Sequence, residues 1–241
     1  MNNLAALTKG ELTRMRKYNI LAAGLFVALI WIAVLHLTEA VEISMMLVVV
    51  LYFDVMAMAG IMIGVTVYYE KQESTIKTML VSPISKEEFI MSKVMANLSS
   101  SLLTMAILLT YAYVVRDASV NILILLGAVV LGVIQFSMIG YLLTFRSRDF
   151  TGMLINLLLF NIFLGIPVIM DFVGLIQNDL FSKVLYALPT KALLTLMTAA
   201  VNGPQTWEVM LSVFYLVGLS TILFQVIRTQ FDAFSTKESG S

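Results

Sequence analysis

Cysteine is absent from this 241-residue chain, and histidine occurs only once, at His36. The lack of cysteine excludes disulfides, thiolate nucleophiles and cysteine-ligated metal sites. A single histidine at the edge of an apolar segment excludes the two-histidine HExxH metal site and a histidine-based triad. No G-x-x-x-x-G-K-[ST] motif occurs, so a P-loop cannot hold nucleotide phosphates here. The sequence therefore predicts no catalytic residue, no metal site and no cofactor bound by this chain.

Charge is also scarce, because charged residues make up 12% of the chain and hydrophobic residues 60%. The formal net charge is zero, which gives no reason to expect a nucleic-acid partner, and the mean hydropathy is +0.94. Apolar runs recur near the ~20 residues that a helix needs to cross ~30 Å of hydrocarbon. These runs do not alternate as the strands of a membrane barrel do. We therefore predict an all-α polytopic membrane protein embedded in the lipid bilayer.

Six transmembrane helices are predicted from the apolar runs. They cover residues 18–38, 43–67, 94–115, 120–145, 150–170 and 207–228. The segment 171–206 is also apolar, but Lys183, Pro189 and Lys191 interrupt it. An extracellular re-entrant or interfacial hairpin is therefore favoured there over a seventh span.

Twelve of the fifteen Lys and Arg residues fall on one side of this topology. The positive-inside rule places that side in the cytoplasm, with both termini, so we predict a multi-pass protein of the plasma membrane. In residues 1–17, apolar residues recur at helical spacing and basic residues lie opposite them. This pattern predicts an amphipathic helix in the inner headgroup layer. Residues 18–230 then form the transmembrane domain, and residues 231–241 form a cytoplasmic tail.

The first cytoplasmic loop is unusually charged for this chain. Its sequence, residues 68–93, is "YYEKQESTIKTMLVSPISKEEFIMSK" and holds eight of the Lys, Arg, Asp and Glu residues. Glu73 and Lys77 form a favourable i,i+4 pair, and an apolar face recurs through Leu80. These signals predict a short helix over residues 70–81.

Two further signals make this loop ordered. Pro83 disfavours helical geometry at the residue before it, so the short helix ends there. Ser85 and Glu88 have the spacing of a capping box, which predicts a second helix that continues into the third span. A rigid, charged loop facing the cytoplasm indicates a docking site for a partner protein.

The same loop resembles the acidic "E…E…GT…LL…P" run that follows the second span in ABC-2 type permeases of ATP-binding-cassette transporters. The matching residues are Glu70, Glu73, Thr75, Leu80, Pro83, Ser85, Glu88 and Lys93. Ser74 stands where that family commonly has glycine. The later segment "LYALPTKALLTLMTAAVNG" resembles the family's proline-containing segment before the last span. With the amphipathic start and six spans, the resemblance covers nearly the whole chain.

The resemblance implies the type V exporter fold, in which the N-terminal helix is the elbow helix and the loop helix is the coupling helix. It also implies a separate soluble ABC ATPase that binds ATP and Mg²⁺, and a second permease subunit, giving a homodimer of permeases. Drugs, lipids and polysaccharides are substrates of such permeases, and the small extracellular portions here favour a small amphipathic drug or lipid. The ATPase-coupling residues implied are Glu70, Glu73, Thr75, Leu80 and Pro83.

Asp54 lies near the middle of the second span, where an ionisable side chain is expensive unless it faces protein or water. The sequence allows two interpretations, a group that lines a substrate cavity or a buried hydrogen bond to a neighbouring span. By the resemblance, the second and fifth spans line the central cavity of the dimer. That implies a substrate pathway containing Asp54, Met58 and Asn161, with Gln135 of the fourth span left as a structural residue.

Three small or rigid residues complete the predicted set of functional positions. Gly60 and Gly64 form a small-xxx-small pair that permits close helix approach, either within the subunit or at a dimer face. Pro167 is predicted to kink the fifth span near its outer end, where a gate could bend.

Two alternative functions remain open from the sequence. A proton-coupled secondary transporter would use Asp54, although the two halves of the chain show no inverted repeat. A membrane anchor that recruits an ATPase without transporting anything would have the same charged loop. The preferred interpretation is an export permease rather than an enzyme, with ATP hydrolysed by the partner chain.

Overall fold

The computed structural model describes residues 3–38, 42–73, 84–204 and 206–236, and within these ranges the chain forms nine α-helices and no strand. The helices are α1 (Asn3–Lys17), α2 (Ile20–Leu37), α3 (Ile43–Gln72), α4 (Lys86–Arg116), α5 (Ile122–Arg146), α6 (Phe150–Phe172), α7 (Asp179–Leu185), α8 (Pro189–Asn202) and α9 (Thr206–Thr236). Six of them, α2 to α6 and α9, are long and apolar enough to cross a membrane. The prediction of an all-α protein with six spans is confirmed.

The predicted start of the loop helix is wrong. The helix of the second span, α3, continues through Gln72, so Glu70 belongs to its last turn rather than to a separate helix. The physical reason is burial, because Glu70 is fully enclosed and paired with charges from two other helices. The remainder of the predicted helix, residues 74–81, lies outside the described residues.

The capping box at the start of α4 is confirmed. Ser85 Oγ accepts a hydrogen bond from the Glu88 backbone N–H at 3.1 Å, and the Glu88 carboxylate accepts from the Ser85 N–H at 3.0 Å. From this cap α4 runs without interruption into the third span. The end of the charged loop is therefore rigidly continuous with a transmembrane helix.

The core of the bundle is the contact of α3 with α5. At their crossing, Gly140 is so close to Gly60 that an added Cβ would lie 2.8 Å from the Gly60 Cα atom. Gly64 lies one turn further along α3, against Met153 and Thr144. Both glycines of the predicted small-residue pair therefore pack inside this chain, against α5 and α6, which leaves neither on a free face.

The segment 171–206 contributes two helices, α7 and α8, joined by a short turn. With 14 residues at about 1.5 Å per residue, α8 is too short to cross the hydrocarbon of a bilayer. Leu193 and Met197 are fully buried where α8 packs among α3, α5 and α9. α8 is therefore part of the bundle core, and the depth of the segment in the bilayer stays a prediction.

The first and last helices depart only modestly from the sequence-based boundaries. α1 covers most of the predicted residues 1–17 and packs along α4, with Met15 buried. α9 continues to Thr236, beyond the predicted tail boundary at 231. It does so because the Phe231 ring packs edge-on against Phe89 at a centroid distance of 5.4 Å. Both helices therefore meet the start of α4 at one end of the bundle.

Candidate coupling and pathway sites

Four charged side chains form a cluster where α1, α3 and α4 meet, and three of them are buried. Lys93 Nζ lies 2.8 Å from a Glu11 carboxylate oxygen and 2.6 Å from a Glu70 carboxylate oxygen. Arg14 pairs with both acids, and its distance to Glu11 is 3.2 Å. The side chains of Glu70 and Lys93 are 0% and 1% exposed. We call these four residues the ion-pair cluster.

The composition of the ion-pair cluster explains why it can be buried. Two carboxylates and two cations neutralise one another, and such pairing offsets the cost of removing each charge from water. The sequence resemblance included Glu70 and Lys93, but Glu11 was missed. Its signal was its i,i+3 spacing to Arg14 on one face of α1. The cluster joins the amphipathic N-terminal helix to the core.

The ion-pair cluster contains one residue from each of the two helices that border the charged loop. Glu70 is in the last turn of α3, and Lys93 is about two turns into α4. Their direct pairing fixes the separation of the two helices from which residues 73–85 emerge. The loop is thus carried by two helix ends that cannot move apart without breaking a buried ion pair.

A second contact ties the start of the loop to the segment between α1 and α2. The Tyr18 hydroxyl donates a hydrogen bond to the Glu73 carboxylate, and the Tyr18 and Tyr69 rings stack at 5.4 Å. This hydrogen bond, with a smaller contribution from burial, raises the pKa of Tyr18, so its phenol stays protonated and remains a donor. Glu73 itself is exposed at the end of α3.

The five predicted coupling residues have different positions. Glu70 is enclosed and therefore cannot touch a soluble partner directly, whereas Glu73 is accessible. Thr75, Leu80 and Pro83 lie outside the described residues. The coupling role stays a prediction for all five, and burial makes any role of Glu70 an indirect one.

Asp54 is 4% exposed and accepts a hydrogen bond from Trp31 Nε1 at 3.2 Å. This contact joins α3 to α2 and matches the second of the two interpretations of Asp54. Met58 lies one turn further along α3 and is half-buried. The Asp54 carboxylate therefore faces α2.

Asn161 belongs to α6, and the Asp54 side chain points away from that helix. The side of α3 that meets α6 carries Tyr52 and Met56, which lie against Gly165. Asp54 is two residues from each, or about 200° around the helix, so it points away from α6. Asn161 Nδ2 donates to the Leu157 carbonyl of its own helix at 2.8 Å. Within one chain the structure does not bring the two predicted pathway residues together.

The outer face of α6 is unusually apolar and open. Pro167 lies within this helix, which nevertheless continues to Phe172. Around it are exposed large side chains such as Phe163, at 67%, and Ile166, at 42%. This face contacts lipid or another protein, and the gating role of Pro167 stays a prediction.

The whole chain matches a known family. The family model of the fluoroquinolones export permease proteins matches residues 2–239. This chain belongs to that family. Two curated relatives are the fluoroquinolones export permease proteins of Mycobacterium tuberculosis strains CDC 1551 / Oshkosh and ATCC 25618 / H37Rv. Each is 26% identical over 245 residues, covering 100% of this chain and 99% of the relative. No solved structure matches the chain significantly.

Membership of this export permease family confirms the resemblance to ABC-2 type drug-export permeases. The chain is a multi-pass membrane permease of an export system. Within its described residues, no group of three His, Asp or Glu side chains is arranged to hold a metal ion.

Polar side chains inside the permease mainly join its helices. Gln135, predicted to be structural, accepts a hydrogen bond from Ser220 Oγ at 2.6 Å and so links α5 to α9. Asn97 was not predicted as a site residue, although an amide inside a predicted span is itself a signal of an interhelical contact. Its Nδ2 donates to the Ala59 carbonyl at 2.9 Å and to Ser137 Oγ at 2.8 Å. These bonds hold α4 against the α3–α5 core.

Proposed function

We propose that this permease is the transmembrane subunit of an ATP-driven exporter of small amphipathic drugs, with fluoroquinolones as the first class to test. The observation that carries the proposal is the family match across residues 2–239. ATP and Mg²⁺ bind to a separate soluble ATPase. The end of the bundle that holds the ion-pair cluster faces the cytoplasm, and two permease subunits form the transport unit.

The ion-pair cluster supports this proposal by suggesting how work reaches the membrane. A partner that docks on residues 73–85 pushes on the ends of α3 and α4 together, because Glu70 and Lys93 hold them at 2.6 Å. α3 is the most enclosed of the six spans, with 67% of its apolar window buried. A displacement at its end is therefore transmitted into the core rather than dissipated at a lipid-facing helix.

The cluster also gives α1 a role in coupling. Arg14 and Glu11 bind α1 to the same two helix ends. When the loop moves, α1 has to move with it, since separation would leave buried charges unpaired. We therefore propose that the elbow helix and the loop respond to the ATPase as one body.

The test is affinity purification of the tagged permease from native membranes in mild detergent, followed by mass spectrometry. A Walker-motif ATPase should co-elute with the unchanged permease in near-stoichiometric amount. Leu80→Asp, in the predicted docking loop, should abolish its recovery. The matched control is Leu175→Asp, which places the same charge at a residue that is 71% exposed after α6.

Two outcomes would reject the proposal or redirect it. Equal recovery of an ATPase with Leu80→Asp would place its binding site elsewhere. If no ATPase co-purifies and drug efflux follows the proton gradient, a proton-coupled transporter becomes the better assignment, and Asp54→Asn should then abolish efflux. An ATPase that co-purifies with a permease unable to bind or move any drug would instead indicate a membrane anchor.

A further inference from the structure

A cavity of about 430 Å³ lies between α7, α8 and the first turns of α9, at the opposite end of the bundle from the ion-pair cluster. Its size is in the range of sites for drug-sized ligands. Ala192 and Ser212, each 6% exposed, are its most buried lining residues. The remaining lining is mainly aromatic, with one carboxylate. These residues are Tyr186, Trp207, Glu208, Leu211 and Tyr215.

Glu208 is the charged residue of this lining. It lies in the first turn of α9, where the helix dipole favours a negative side chain. Its carboxylate accepts a hydrogen bond from the Tyr186 hydroxyl at 3.3 Å. Among residues 3–38, 42–73, 84–204 and 206–236, no basic side chain forms an ion pair with it. The cavity therefore has a negative charge that this part of the chain does not neutralise.

Lys191, a basic residue that contacts Tyr186 of the lining, is already paired with a carboxylate. Lys191 Nζ lies 2.8 Å from the Asp171 carboxylate and 5.4 Å from the centre of the Tyr186 ring. It is not among the residues that line the cavity. The positive charge of Lys191 is thus balanced by Asp171, and Glu208 is the charged residue that lines the cavity itself.

The aromatic rings fit the same type of ligand as the carboxylate. Faces of Trp and Tyr attract ammonium groups through the ring quadrupole, and clusters of such rings bind alkylated ammonium ligands. Tyr215 is held in place by donating its hydroxyl to the Ala187 carbonyl at 2.6 Å. Burial, and then the charge of Glu208, raises the pKa of Tyr186, so its phenol stays neutral and continues to donate. The cavity is therefore prepared for a cation with an apolar body.

We propose that this cavity, lined by Tyr186, Trp207, Glu208 and Tyr215, binds the ammonium group of a free amphipathic organic cation. The site is separate from the predicted pathway residues Asp54, Met58 and Asn161. It goes beyond the function proposed above, because it is a property of this chain that requires neither an ATPase nor transport. Direct binding can therefore fail while ATP-driven export stands, and the reverse also holds.

The chain carries its own reporter for this site. It has two tryptophans, Trp31 and Trp207, and Trp31 lies away from the cavity in contact with Asp54. In the Trp31→Phe background all tryptophan fluorescence comes from the cavity. Full-length permease in dodecyl maltoside, which carries no ammonium group, is titrated with phenyltrimethylammonium and separately with its neutral isostere, tert-butylbenzene. A saturable change with the cation, at roughly tenfold higher affinity than with the isostere, is expected.

The decisive variant is Glu208→Gln, which keeps the shape of the side chain and removes its charge. We expect affinity for phenyltrimethylammonium to fall roughly tenfold, while affinity for tert-butylbenzene is unchanged. Glu42→Gln is the matched control, because Glu42 also lies at the start of a helix, α3, and is not in the cavity lining. Thermal unfolding of each variant checks that the fold is retained.

Four results would overturn the proposal. The first is equal affinity for the cation and its isostere, and the second is unchanged cation binding in Glu208→Gln. The third is displacement of the cation by dioctanoylphosphatidylcholine at the same concentration as by unlabelled cation, which would assign the cavity to a lipid headgroup. Equilibrium dialysis with radiolabelled phenyltrimethylammonium covers the case in which Trp207 fluorescence does not respond, and no binding there also rejects the site.

Discussion

At one end of the helix bundle, three buried charged side chains and the half-buried Arg14 neutralise one another. At the other end, the Glu208 carboxylate borders a cavity without a basic partner among the described residues. The first arrangement joins α1, α3 and α4, and its central pair is almost fully enclosed. The second is lined by aromatic rings, among which Trp207 is 70% exposed. Charged side chains therefore have two different positions in this chain: those of the ion-pair cluster join helices, and Glu208 lines a cavity.

Arg116 is a further charged residue that joins two helices. Arg116, at the same end as the cavity, donates to the backbone carbonyls of Leu35 at 2.8 Å and Thr38 at 2.8 Å. It satisfies acceptors that the end of α2 would otherwise leave unpaired. The paired or bonded charges described here hold helices together, whereas Glu208, which has no ion pair among the described residues, borders a space large enough for a ligand.

The largest loss of stability is expected when a residue of the ion-pair cluster is replaced. Lys93→Met should lower the free energy of unfolding by about 3–5 kcal/mol, because it leaves two buried carboxylates with Arg14 alone. Lys86→Met is the matched control, since the Lys86–Asp232 pair is 36% and 62% exposed and such a pair contributes at most about 1 kcal/mol. SDS-induced unfolding in mixed micelles measures both. Equal, small losses would show that the ion-pair cluster does not stabilise the fold.

A smaller effect is expected where helices cross without charge. Gly140→Ala should destabilise the permease by about 1–3 kcal/mol, because the new methyl group meets the backbone of Gly60, which cannot yield as a side chain would. Gly127→Ala, in the same helix and with nothing within 4 Å, should be neutral or stabilise by up to about 1 kcal/mol. The same unfolding assay compares them. A tolerated alanine at position 140 would mean that α3 and α5 are not held at this distance.

The smallest effect concerns the cap that begins α4. Ser85→Ala removes one half of the capping box and should cost about 1 kcal/mol. Ser99→Ala, whose hydroxyl is exposed and bonds only within its own helix, should change stability by less than about 0.5 kcal/mol. Hydrogen exchange of the first turn of α4 should rise in the first variant alone. Unchanged hydrogen exchange in Ser85→Ala would show that the cap does not order the start of α4.

Features that depend on local sequence were predicted well. The six spans follow from the length of the apolar runs, and the cap at Ser85 follows from its spacing to Glu88. The start of the loop helix was not predictable in this way. Glu70 stays in α3 because it is buried against Lys93 and against Arg14, which belongs to a helix far away in sequence. Arg14 lies outside residues 68–93, and no local pattern in that stretch indicates that Glu70 pairs with Lys93.

In the candidate sites, too, some features follow from local sequence and others depend on tertiary packing. Asp54 was identified from its position in mid-span, but that it faces Trp31 rather than α6 depends on how helices pack. The carboxylate and rings of the cavity come from helices separated by a turn and a loop, with Tyr186 and Glu208 22 positions apart. Such groupings are set by the tertiary fold, and short-range spacing does not encode them.

The most direct test of the central proposal is drug uptake into inside-out vesicles that contain the permease and its co-purified ATPase. The account predicts uptake that requires ATP and survives collapse of the proton gradient. It also predicts that the charge-balanced pair Glu70→Gln with Lys93→Gln, which leaves Glu11 and Arg14 to neutralise each other, lowers uptake while ATP hydrolysis continues. Uptake driven by a proton gradient without ATP, or undiminished uptake by the paired variant, would contradict the account.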